Sequence, residues 1–274
     1  MTLTARVAAV QMVSSTRVED NLNTAAALIE EAAGTGAQLV ALPEYFCLMG
    51  QRDSDKVALR EPDGRGPIQD FLAEQARRHG IWLVGGTLPL VAPEPDRVMN
   101  SVLVYGPAGD RIARYDKIHL FRFTRGDETY DEARTIAPGS DVRTFVFAPE
   151  GGPRLTVGLS VCYDLRFPEL YRAMPRPDLI LVPAAFTATT GKAHWEILLR
   201  ARAVENLAYV LAPAQGGVHE NGRATYGHSM LIDPWGTVLA NRPDGPGVVF
   251  GDIDPQLVAS CRASLPALEH RTLC

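Results

Sequence analysis

Three side chains in this 274-residue chain have the chemistry to open an amide bond: the thiol of Cys162, the carboxylate of Glu44 and the ammonium of Lys117. Each stands at or just past the end of an apolar run, in Leu39-Val-Ala-Leu-Pro-Glu44, Tyr115-Asp-Lys117-Ile-His-Leu and Gly158-Leu-Ser-Val-Cys162-Tyr-Asp-Leu-Arg-Phe-Pro-Glu169. A thiolate that attacks a carbonyl must first lose its own proton. It then creates an oxyanion and must return a proton to the departing ammonia. A thiol, a carboxylate and a fixed cation meet those demands.

Each residue also has a plainer reading. Free cysteine is among the most buried residue types, a carboxylate after a strand is often only solvated, and a lone lysine usually lies along the surface. Cys47, three residues after Glu44, competes as nucleophile but lacks a strand-to-helix turn. Cys162 has one, and the N–H groups and positive helix end there are expected to favour a thiolate. Cys261 and Cys274 read as incidental. The six histidines form no pair spaced as metal ligands on one helix face, and no metal or organic cofactor is required.

To converge on one pocket, these residues need strands that end at the same edge. Apolar runs of strand length recur at Val7–Val13, Leu39–Leu42, Ile81–Gly85, Val102–Tyr105, Leu155–Cys162, Leu179–Phe186, Tyr209–Ala212, Met230–Ile232 and Val248–Ile253. Several are continuous rather than alternating, which predicts burial on both faces. Helices are expected from Asp20 or Asn21 to Ala33, from Pro67 to Arg78, over Pro168–Met174 and over Ala193–Asn206. The alternation predicts an α/β fold with two stacked sheets between helical layers, in one domain spanning 1–274. Asp254 opens a last helix, and 262–274 form a C-terminal tail, either crossing to a neighbouring subunit or frayed.

The composition excludes other classes. A net charge of -5 is spread along the chain, and the one tight basic cluster, Arg122 and Arg125, is followed by Asp127 and Glu128. Nothing is built for nucleic acid. Four scattered cysteines fit a reducing compartment. Arg6 and Gln11 interrupt the N-terminal apolar stretch before a signal-peptide core forms, and no run reaches the ~20 residues of a membrane span. The expected location is the cytoplasm.

Leu-Pro-Glu44, Lys117-Ile-His-Leu-Phe, Cys162-Tyr-Asp-Leu-Arg-Phe-Pro-Glu-Leu, Ala185-Phe-Thr, Gly191-Lys-Ala-His-Trp-Glu, Tyr226-Gly-His-Ser-Met and Asp233-Pro-Trp-Gly together resemble the nitrilase superfamily of carbon–nitrogen hydrolases. The ordered match covers nearly the whole chain. From Phe186 to Trp235 it is most similar to the Nit-type amidases, above all the deaminated-glutathione amidases and their bacterial relatives. The resemblance implies a four-layer α-β-β-α sandwich, a Glu44-Lys117-Cys162 triad, and a homodimer or larger homo-oligomer. It also implies a second active-site glutamate, matched by motif to Glu132 rather than Glu128 across a loop at Arg122–Thr129. Phe186 and Thr187 would line the pocket, the Tyr163 backbone N–H would help hold the oxyanion, and His194 is a further candidate for substrate contact.

The expected reaction is hydrolysis of a terminal amide of a small carboxylated molecule through a thioester, with release of ammonia. Deaminated glutathione is the first candidate. ω-Amidase action on α-ketoglutaramate and carbamoyl-amide hydrolysis are alternatives, and a non-catalytic binding protein on the same fold is a different class. Arg122 and Arg125 are either a clamp for substrate carboxylates or a solvated loop, and Arg166 and Glu169 are expected to pair as ions.

Overall fold

The computed structural model describes residues 3–126 and 128–272. Asp127 and Cys274 lie outside them. In the strand Ala5–Gln11 every residue but Arg6 is buried, and successive residues serve opposite faces. Ala8 and Val10 pack with Ala25, Ile29 and Ala32 of the helix Val18–Gly34 and with Ile68, Leu72 and Ala76 of the helix Pro67–His79. Val7 and Ala9 join Val157, Leu159, Ile180 and Leu181 in a second core, shared by two sheets. This explains why the early strands read as continuous apolar runs.

The first sheet runs in the order Gly247–Ile253, Ala5–Gln11, Leu39–Ala41, Trp82–Val84, Val98–Tyr105, Leu88–Val91, and Arg111–Asp116 and Ile136–Ala137 also pair with Val98–Tyr105. The second runs Thr144–Phe147, Leu155–Leu159, Leu179–Leu181, Tyr209–Ala212, Ser229–Ile232, Val238–Arg242. The central strands of both are parallel, so their carboxyl ends gather at one edge. Trp195, Leu199 and Ala203, one face of the helix Ala188–Asn206, pack in the same core as the second sheet. Helices, two sheets and helices make the expected α-β-β-α sandwich.

Several boundaries differ from expectation. The helix expected at Ala193 begins at Ala188, where the Thr187 hydroxyl accepts the Thr190 N–H at 3.2 Å. The strand expected to run into Cys162 stops at Leu159, and Cys162 opens a 3-10 turn, Cys162–Arg166. The stretch expected as a loop at Arg122–Thr129 is a hairpin in which Arg122–Arg125 pairs with Glu128–Asp131. The last helix, Pro255–Ser264, extends into the region expected as tail; Arg262 bonds Asp178 at 3.0 Å and Arg271 bonds the Arg172 carbonyl at 3.2 Å, so the end of the described chain folds back on itself. Among the described residues no helix is long and apolar enough to cross a membrane.

Candidate active site

Glu44 follows Leu39–Ala41 through Leu42 and Pro43, and the backbone there leaves no spare room. A Cβ on Gly86, whose φ is +50°, would come within 2.1 Å of the Pro43 carbonyl oxygen. Only glycine fits that approach beside Glu44. The Glu44 carboxylate is buried and fully engaged. Its Oε1 accepts from Lys117 Nζ at 2.8 Å and Asn100 Nδ2 at 3.0 Å, and its Oε2 accepts the Ala185 N–H at 3.0 Å.

Lys117 leaves the strand Arg111–Asp116 with its backbone pinned on both sides. Its N–H donates to the Asn100 carbonyl and its carbonyl accepts from Gly139. The completely buried ammonium reaches both oxygens of Glu132, at 2.9 and 2.8 Å, as well as Glu44. Burial alone would lower the Lys117 pKa, but Glu132 and Glu44 outweigh it and hold the residue charged. Burial would likewise raise the Glu132 carboxyl; Lys117, the Phe121 N–H and Lys56 bring it below its ordinary value. Tyr45 completes the ring by donating its hydroxyl to Glu132 Oε1 at 2.9 Å. Glu128, the other candidate, accepts instead from the Thr189 hydroxyl at 2.8 Å.

Cys162 sits at φ +50°, a left-handed conformation uncommon for a residue with a side chain. Asp164 holds this turn. Its buried carboxylate accepts from the Val161 N–H at 2.9 Å, the Tyr115 hydroxyl at 2.6 Å and the His119 N–H at 2.9 Å, and lies 2.7 Å from His119 Nδ1. Strained backbone maintained by surrounding contacts is a feature of functional sites. The expectation of a stabilised thiolate does not hold. Burial and the charge of Glu44 push the Cys162 thiol well above its ordinary pKa, and Lys117 only partly opposes them. The following helix, Pro168–Ala173, is six residues long and does not reverse this.

A narrow cavity of about 10 Å³ lies over Cys162, with Phe121, Glu132, Tyr163, Arg166, Phe186, Thr187 and Arg223 in its walls. Phe186 and Thr187 end the segment that closes one side of it. The Tyr163 N–H donates to no acceptor among the described residues. His194 is not in the wall; it is exposed, with Nδ1 3.3 Å from Arg166 Nη1. Arg166 forms no ion pair with Glu169 among the described residues, because its guanidinium lies between the rings of Tyr163 and Phe186, 5.7 and 5.4 Å from their centroids. Arg122 and Arg125 are exposed on the hairpin and do not line the cavity. Arg223, Asn100, Tyr45 and Asp164 carried no local signal that singled them out.

The sandwich and the buried ring of Glu44, Lys117 and Glu132 around a thiol define the class. The carbon-nitrogen hydrolase family model matches residues 6–263, and the chain belongs to that family. It is similar to the deaminated glutathione amidase of Synechocystis sp., with 41% identity over 96% of this chain and 97% of that protein. The NitFhit protein of C. elegans superposes with a TM-score of 0.87 at 36% identity; the match covers 99% of this chain, which spans 66% of that one. A mutant amidase from Nesterenkonia sp. AN1, carrying acrylamide added at its active-site cysteine, superposes at a TM-score of 0.77 with 28% identity over 96% of this chain and 98% of that chain.

Proposed function

We propose that the protein is a linear-amide hydrolase whose nucleophile is Cys162, and that its substrate is deaminated glutathione. The observation that carries the reading is the placement of one buried ammonium between two carboxylates beside the thiol, in a chain 41% identical to a deaminated glutathione amidase over nearly its full length.

The resting thiol is protonated, so attack requires Glu44 to take the proton as the sulfur approaches the carbonyl carbon. The developing oxyanion is held by Lys117 and the Tyr163 N–H. Glu44 then delivers its proton to the leaving nitrogen, the C–N bond breaks, and the acyl group remains on Cys162 as a thioester. Glu44 next takes a proton from water, hydroxide character attacks the thioester, and the acid leaves as the thiol is restored. Glu132 acts through Lys117, fixing its position and compensating its charge. Deaminated glutathione has only secondary amides, so cleavage on its glutaryl side frees cysteinylglycine. Ammonia is the product only for a primary amide such as α-ketoglutaramate.

The same reading places the chain as one domain over 1–274, in the cytoplasm and as a homo-oligomer. The shared core of both sheets supports the first, and exposed Ile197 and Trp235 support the last. Light scattering on the purified protein measures the oligomer. For the reaction, kcat/KM is compared for deaminated glutathione, α-ketoglutaramate and a carbamoyl amide, with wild type and Cys162→Ala. Cysteinylglycine release by wild type alone is expected; turnover surviving in Cys162→Ala, or none by wild type on any of the three, rejects the proposal.

A further inference from the structure

A second cavity, of about 330 Å³, shares one wall residue with the cavity over Cys162. Arg223 lines both, and Tyr45, which bonds the active-site Glu132, lines the second. Its charged wall residues are Arg52, Lys56 and Arg223 against the single Asp53, an excess of two positive charges.

Both inner cations are only partly paired. Lys56 is 16% exposed, lies 3.9 Å from Asp53 and 3.4 Å from the Thr135 hydroxyl, and sits 5.4 Å from the centre of the Tyr45 ring. Burial lowers its pKa, with only partial compensation from Asp53 and Glu132. Arg223 donates through Nη2 to the Ala185 carbonyl at 2.9 Å and stacks over the Tyr130 ring at 5.1 Å, but its Nε is buried without a hydrogen-bond partner. A buried guanidinium N–H with no acceptor costs free energy unless something supplies one. A carboxylate set between the guanidinium and the ammonium would balance the excess positive charge of this cavity.

We propose that Arg223 and Lys56 form a subsite for a carboxylate of the amide substrate, held away from Cys162 in the second cavity. This rests on the reading of the chain as an amidase for carboxylated substrates and adds which residues select them. Arg122 and Arg125, expected as the clamp, are on the exposed hairpin and line neither cavity.

Deaminated glutathione carries a carboxylate at each end, and two analogues separate them. One has its glycine carboxylate capped as an amide; the other has its keto-acid end replaced by a neutral acyl group of equal length. Hydrogen bonds to charged groups set the expected penalty for removing the recognised carboxylate at about tenfold to a hundredfold in kcat/KM, mostly through KM. Lys56→Gln and Arg223→Gln should shrink that ratio towards one, and Lys56→Arg should restore it.

Calorimetric binding of the three compounds to the Cys162→Ala protein, with and without Lys56→Gln, reads the subsite without turnover and so separates its failure from failure of the amidase reading. The proposal is overturned if neither neutralised analogue binds more weakly, if the penalty keeps its size in Lys56→Gln and Arg223→Gln, or if none of the compounds binds.

Discussion

Lys117 and Glu132 meet through both oxygens of the carboxylate, at 2.9 and 2.8 Å from Nζ, while the same nitrogen lies 2.8 Å from Glu44. One cation is therefore shared by two buried carboxylates and offsets one of their two charges. Removing it strands both. Lys117→Ala is expected to destabilise the protein by about 3–5 kcal/mol, the usual result of leaving a buried charge unpaired. Loss of an oxyanion donor should also cut turnover by ~10²–10³. Urea unfolding and single-turnover kinetics check the two effects separately.

The thiols should react selectively. Burial pushes Cys47 up to about 12, and its sulfur faces the Thr87 carbonyl rather than a carboxylate. Cys162 also has a raised thiol, but it opens on a cavity and has Glu44 to accept its proton. Acrylamide is expected to modify Cys162 before Cys47, and Glu44→Gln should slow that modification by ~10²–10⁴, the range of a positioned general base. Peptide mass spectrometry over a time course gives both results.

The positions of Glu44 and Cys162 were legible in the chain because each follows an apolar strand with no spacer long enough to move it away. Leu39–Leu42 leads directly to Glu44, and the buried neighbours Val157 and Leu159 lead to Cys162. What escaped were contacts made across great sequence distance. The Ala185 N–H reaches Glu44 over 141 positions, and Asp164 meets Tyr115 over 49. Such contacts leave no periodicity. Arg111–Asp116 also escaped as a strand because its residues are mostly half-buried or exposed, so the apolar pattern is absent. The start of the helix Ala188–Asn206 was hidden by Gly191, which reads as a breaker; a Cβ there would lie 2.2 Å from Tyr226 Cβ, so glycine is required by packing.

Asp164 is expected to matter for stability more than its lack of contact with the amide suggests. Substitution by Ala leaves the buried Tyr115 hydroxyl and the Val161 N–H without an acceptor. Each orphaned group costs about 1–3 kcal/mol. Asp164→Ala should therefore lower the urea midpoint strongly and release the φ of Cys162 from its left-handed value, with loss of turnover. Asp164→Asn keeps one acceptor oxygen and should fall between the two.

Thr187 offers a milder test, because it caps a helix while lining the cavity. Thr187→Ala removes the acceptor for the Thr190 N–H and should cost ~1 kcal/mol. Thr187→Ser keeps the hydroxyl and should restore that stability. A KM change shared by both variants would instead report the lost methyl in the cavity wall.

The pH dependence follows from the directions of the shifts. Glu132 is held below its ordinary value in the folded protein, so its contribution is fully present above the unfolded value of about 4.3 and disappears as pH falls through the lower folded one. Lys117 is raised, so its contribution is complete below about 10.4 and is lost only as pH rises through its folded value. At neutral pH both are therefore present, and the acid side reports Glu132. Glu132→Gln keeps the shape and removes the charge. It should be less stable than wild type at pH 6, and the difference should shrink steadily between about pH 4.3 and the depressed folded value. Urea midpoints collected over that range decide the matter: a difference that stays constant with pH would mean that Glu132 is not ionised against Lys117.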